Sequence, residues 1–140
     1  MSLQHLISAG DAAAILDAIP FYQTVGVKIG RLEPKIQTHL PFNETHIGNR
    51  FIRSLHGGIV ATFLDATALV TLVGEGKPDS YPKPVNITVD YLRPAKARDL
   101  YGDAEIVKLG RRIVSVRAMC WQSNRDQLVA QAMCHFLIGG

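Results

Sequence analysis

The sequence predicts an α+β fold, a curled antiparallel sheet wrapped around one long apolar helix. Residues 57–73 run for about four turns with no proline and one charged side chain, Asp65. A helix that is apolar on every side is a buried helix. Residues 84–138 then alternate apolar and polar side chains in four segments joined by short turns, as antiparallel strands with one packed face do. At 140 residues, 47% hydrophobic and 19% charged, the chain is long and apolar enough to bury a full core. It is read as a single domain over 1–140. Such a helix is fully buried only if the sheet curls around it.

In chain order, residues 8–18 favour a short N-terminal helix, promoted by Asp11 and Ala12-Ala13-Ala14 and stopped by Pro20. Val25, Val27 and Ile29 alternate, as do Ile36, Thr38 and Leu40, so two strands flank a turn at residues 30–34. Residues 42–55 follow neither period and read as a long loop. The central helix starts at Gly57-Gly58 and ends in Gly74-Glu75-Gly76-Lys77-Pro78, where two glycines and a proline halt it. Residues 84–93 alternate through Val85, Ile87, Val89 and Tyr91, and residues 99–109, 112–122 and 127–138 supply three more strands. Leu109-Gly110-Arg111 and Ser123-Asn124-Arg125-Asp126 are the turns of an antiparallel meander.

Composition narrows the function. The formal net charge of +3 is small and dispersed, which argues against a nucleic-acid partner while suiting an anionic ligand. Asp65 and three threonines break the longest apolar stretch, so no membrane span is expected. The N-terminus lacks the basic start and apolar core of a secretory signal, which leaves a cytoplasmic protein as the expectation. Cys120 and Cys134 fall on apolar strand faces without metal or redox spacing and read as reduced packing residues. His39, His46 and His135 have no ligand-like spacing, and no metal site is expected.

Chemistry concentrates in residues 56–65. An isolated buried carboxylate costs several kcal/mol, so Asp65 must be paired, protonated or functional. The first N–H groups of a helix have no intrahelical partner and carry partial positive charge, so Gly57 and Gly58 can either cradle a developing oxyanion or simply permit a sharp turn. Eight residues separate Gly57 from Asp65, about 12 Å along a helix, whereas a base or nucleophile must come within about 3 Å of the reacting atom. If the two cooperate, Asp65 meets the Gly57 end of another subunit, with two helices antiparallel across a two-fold axis.

The element order resembles the hotdog fold. So do His56-Gly57-Gly58 opening the helix, Asp65 seven residues after Gly58, Tyr91-Leu92-Arg93-Pro94-Ala95 at a strand end and Gly110-Arg111 at the next turn. More narrowly, residues 20–138 resemble the PaaI-like acyl-CoA thioesterases of phenylacetate-pathway type. The resemblance implies hydrolysis of acyl-CoA thioesters, with no metal or organic cofactor, by dimers or tetramers whose sites combine two subunits. It implies that Asp65 activates water or attacks the thioester carbonyl, and both roles stay open. Gly57 would polarise the carbonyl with Gly58 as the neighbouring donor, and His56 would fix the entry loop by hydrogen bonding.

Two positions depart from that pattern. Relatives carry an asparagine six residues before the histidine, where this chain has Arg50; Asn49 lies seven before, as a site residue or a turn residue. Where some relatives hold water with Ser or Thr on the strand after the helix, this chain has Pro84, with Asn86 and Thr88 as candidate substitutes. Arg93, Arg111, Arg112 and Lys96 stand at strand ends, either to meet the phosphates of coenzyme A or as a solvated basic rim. Phe51, Ile52, Leu55 and Phe63 are candidate walls for the acyl group. The alternative reading is a noncatalytic acyl-CoA-binding protein of the same fold; a hotdog dehydratase would need a His–carboxylate motif that the sequence does not offer.

Overall fold

The computed structural model describes residues 2–139 and sets the long helix against a six-stranded antiparallel sheet. The strands are β1 (Lys28–Arg31), β2 (Gln37–Leu40), β5 (Lys83–Tyr91), β6 (Leu100–Leu109), β7 (Ile113–Trp121) and β8 (Ala130–Leu137), ordered β1-β2-β6-β7-β8-β5. Strands β3 (Ile47–Asn49) and β4 (Ser54–Leu55) form a separate small hairpin. The helix, α4 (Gly57–Thr71), packs on β6, β7, β8 and β2, which is the hotdog arrangement.

The alternation of β7 and β8 determines what the helix meets. Val114, Val116, Ala118 and Cys120 of β7 and Ala130, Ala132, Cys134 and Phe136 of β8 are buried beneath it. Phe63 on α4 presses on Gly102 of β6 so closely that a Cβ there would stand 2.7 Å from its ring. Thr67, one turn on, is buried and 2.7 Å from both the Phe63 carbonyl and Thr38 Oγ1, and Thr38 reaches the Gly102 carbonyl at 3.2 Å. Every polar group on this face of α4 is thus hydrogen-bonded, as burial demands. Cys120 and Cys134 are free buried thiols whose burial pushes both up to about 12.

Four expectations are corrected. The N-terminal helix is two helices, α1 (Leu3–Ala9) and α2 (Ala12–Asp17), because Gly10 takes φ 68° between them and Asp11 caps the second through Ala14 N–H. Pro20 opens a third helix, α3 (Pro20–Val25), since a first-turn N–H has no partner to lose. Val25 therefore ends a helix, and the strand begins only at Lys28. Within the expected loop, Asn43 caps a 3-10 turn (Glu44–His46) that leads into the β3–β4 hairpin.

The helix is also longer than expected. Beyond Thr71 it continues through a π-helical turn, Leu72–Gly76. Residues 57–76 are long and apolar enough to cross a bilayer, by length and composition alone, despite Asp65 and the threonines. The sheet wraps them instead, and 61% of their most apolar window is buried inside the fold.

Strand β5 follows α4 in the chain but pairs with the last strand, β8, and so ends the sheet. A bulge between Pro84 and Asn86 sets its register. Ile87, Val89 and Tyr91 face the helix side, opposite the inward Cys134, Ala132 and Ala130. Nothing among the described residues covers them fully: Ile87 is 41% exposed, Tyr91 55%, and the bulged Val85 58%.

Candidate active site

Asp65 lies on the side of α4 turned toward α3 and the β8–β5 end of the sheet. The Tyr22 hydroxyl donates to its Oδ2 at 2.6 Å. Its Oδ1 has no partner among the described residues, and no buried side-chain oxygen is left unbonded, so Oδ1 opens to solvent. Burial pushes the Asp65 carboxyl above its ordinary value, and the Tyr22 bond to the charged form offsets part of this. Burial, then the Asp65 charge, push Tyr22 and Tyr81 upward, so both stay neutral phenols.

The other end of the site is the start of α4. His56 caps the helix, its Nδ1 accepting from Gly58 N–H at 2.9 Å. That bond removes Gly58 from the expected role of second donor. Gly57 N–H has no acceptor among the described residues. The Gly57 carbonyl accepts from Tyr91 Oη at 2.9 Å, which fixes the peptide after it. A Cβ on Gly57 would meet only the Tyr91 side chain, at 3.5 Å, an ordinary contact. Nothing among the described residues requires glycine there. By contrast, a Cβ on Gly48 would stand 2.8 Å from His56 Cα, so that glycine lets β3 pass the helix entry.

Gly57 opens into a cleft of about 400 Å³ lined by Ser54, Leu55, Val60, Tyr91, Arg93 and Ala95, among others. Leu55 and Arg93 thus stand beside Gly57 as residues of one cleft. Asp65 lies outside it, eight residues along the helix.

The remaining expected residues divide. Asn49 Oδ1 accepts from Phe51 N–H (3.0 Å) and Ile52 N–H (3.3 Å), an Asx turn at the tip of the β3–β4 hairpin. Phe51 and Ile52 project from that tip, fully and largely exposed, while Phe63 is a core residue packed against the sheet at Gly102. Asn86 and Thr88 pair with His135 and Met133, on the face of β5 opposite to α4, and Thr88 Oγ1 is 3.4 Å from Asn86 Oδ1. Within this chain they cannot hold water at Asp65. Arg111 borders a cleft with Gly76, Lys77 and Asp79 at the far end of the helix, about 30 Å from Gly57, and Arg112 is its neighbour in the turn.

Sequence reasoning missed Tyr22, and it named Tyr91 only as part of a strand-end motif, with no role at the site. Tyr22 precedes Asp65 by 43 residues and carries no local signal. Tyr91 did have one, since alternation places it on the helix-facing side of β5.

Residues 53–129, more than half of the chain, match the thioesterase superfamily model, a span that holds both Gly57 and Asp65. A medium/long-chain acyl-CoA thioesterase of Salmonella typhimurium is 27% identical over 137 residues, covering 86% of each chain. A solved protein from Chromobacterium violaceum is 31% identical with a TM-score of 0.74, covering 97% of this chain and 95% of that one. A phenylacetic acid degradation-related protein of Ralstonia eutropha, 19% identical, has a TM-score of 0.74 over 98% of this chain and all of that one, and shows the shared fold.

Proposed function

The chain belongs to the thioesterase superfamily, and on that premise we propose that it hydrolyses acyl-CoA thioesters to free acid and coenzyme A. The observation that carries this reading is the half-satisfied Asp65, a carboxylate set in a core helix with one oxygen held and one open. In this reading the open oxygen takes a proton from water, or attacks the thioester carbonyl to form an anhydride that water then cleaves. The carbonyl oxygen gains charge in either case and is met by Gly57 N–H, the unpartnered first donor of a helix. The C–S bond then breaks and coenzyme A leaves as thiolate. His56 holds the helix entry rather than moving protons, and neither metal nor organic cofactor is called for.

Gly57 and Asp65 of one chain are too far apart to act on one carbonyl, so the working unit is a homodimer or a pair of dimers. Three features support this. Among the described residues the outer edge of β5 is unpaired, its helix-facing side chains are only partly covered, and nothing requires glycine at position 57. A partner related by a two-fold axis would bring its Asp65 to each Gly57. In this reading Arg93, which lines the same cleft as Gly57, supplies a cation for the anionic coenzyme A.

The test is thiol release from a panel of acyl-CoAs, short to long and aromatic to aliphatic, with wild type and Asp65→Asn in parallel. The Salmonella relative makes medium and long chains the first members to try. Wild-type turnover lost in Asp65→Asn is the expected outcome; wild type that binds acyl-CoA without turnover would instead identify a binding protein. Mixing Asp65→Asn with Gly57→Val subunits tests the shared site. Heterodimers regain one intact site of two, so about a quarter of wild-type activity should return, and none returns if the site lies within one chain.

A further inference from the structure

Tyr22 comes from the N-terminal helices, outside residues 53–129, and it touches Asp65 directly. Its ring is in the core, 6% exposed, and its hydroxyl has one partner among the described residues, Asp65 Oδ2. The helix that carries it is tied down twice. It packs against α4, and the carbonyl of its last residue, Val25, accepts from His46 Nε2 at 2.7 Å. His46 Nδ1 accepts from Asn43 N–H, which assigns the ring proton to Nε2. A phenol fixed in this way locks the carboxylate plane and occupies one of its two oxygens.

We propose that Tyr22 is a positioning residue for the Asp65 site, anchoring Oδ2 so that Oδ1 alone is presented to water or thioester. This rests on the reading of Asp65 as the catalytic carboxylate. Phenylalanine would fill the same space, so the core does not require the hydroxyl; the carboxylate does. Without it Oδ2 would face an aromatic ring in a desolvated position.

The titratable groups facing Asp65 are Tyr22 from α3, Tyr81 from the segment before β5, and Cys134 from β8. All three are pushed upward, Cys134 to about 12, chiefly by burial. They stay neutral through the working range, so Asp65 is the member of this group that titrates, and its ionised form is the active one. Tyr22 favours that form.

The experiment measures kcat, KM and their pH profiles on an acyl-CoA turned over by wild type. It compares Tyr22→Phe, 3-fluorotyrosine at position 22, Asp65→Asn and, as a control, Tyr101→Phe. Tyr101 stacks on His39, away from Asp65, and its variant should match wild type. Tyr22→Phe should lower kcat about tenfold or more with KM retained, and move the acid limb to higher pH. Fluorotyrosine, a stronger donor, should move that limb the opposite way. Wild-type kcat and an unmoved acid limb in Tyr22→Phe, whatever its melting temperature, would overturn the assignment. If that variant does not fold, an unmoved limb in the fluorotyrosine protein overturns it equally. An active Asp65→Asn would sink the catalytic reading beneath it, whereas an inactive one beside an unaffected Tyr22→Phe removes Tyr22 alone.

Discussion

Asp65 and Thr67 stand two residues apart on the same helix and show what separates a structural polar group from a chemical one. Thr67 faces the sheet, has no exposed surface, and shares its hydroxyl with Thr38 and a carbonyl of its own helix. Asp65 faces the open side, with one oxygen bonded and the other free. A buried polar group that is fully satisfied makes a core specific, whereas one left half-satisfied keeps a capacity for something outside the chain. The glycines repeat the contrast. Gly102, on the Thr67 side, is dictated by the Phe63 ring and Thr38, while nothing among the described residues dictates Gly57.

The largest effect should separate the two side chains directly. Asp65→Asn is expected to cut kcat by about 10³-fold with the fold intact. Thr67→Val should leave kcat unchanged and cost about 1 kcal/mol in denaturant unfolding. A catalytic loss in the threonine variant as large as in the asparagine variant would erase the distinction.

Assembly comes next. Ile87→Lys puts a charge on the uncovered inner side of β5 and should yield monomers by sedimentation, with activity falling in proportion. An active monomer would leave the open side with no partner to explain it.

The glycines give a smaller effect. Gly57→Ala should lower kcat/KM about tenfold with an unchanged or slightly raised melting temperature, since alanine is the better helix former. Gly102→Ala should cost about 1–3 kcal/mol through overpacking and leave turnover per folded molecule as it was. Reversal of the two phenotypes would mean that Gly57 serves packing.

The smallest effect is in stability against pH. Burial raises the Asp65 carboxyl in the folded state, so its contribution to stability is fully present below its unfolded value of about 3.9 and is lost as pH rises through the folded value. Melting temperatures of Asp65→Asn and wild type should therefore be closest in acid and diverge toward neutral pH, with the variant higher. A gap that narrows toward neutrality would mean that partners outweigh burial.

Much of this was legible in local pattern. The helix at residues 57–73, the four strands after it and the isolated charge at Asp65 follow from periodicities that each element carries within itself. The capping histidine sits beside the glycine it caps, so that part of the site was local too. Element ends were less legible, because Gly10 and Pro20 act on backbone geometry where two helices meet. A bulge at Val85 and the register with β8 decide which way Asn86 and Thr88 point.

Two matters were beyond the reach of any local pattern. One is the sheet order, which carries β5 past its chain neighbours to pair with β8 and leaves its edge and inner face open. The other is the Tyr22–Asp65 bond, which spans 43 residues and depends on how α3 docks against α4. The amino-acid order was enough to place a carboxylate in an apolar helix and to separate it from Gly57 by too many residues for one chain to use both. Only the folded chain decided which of its oxygens is held and which is free, because that depends on side chains brought together by packing.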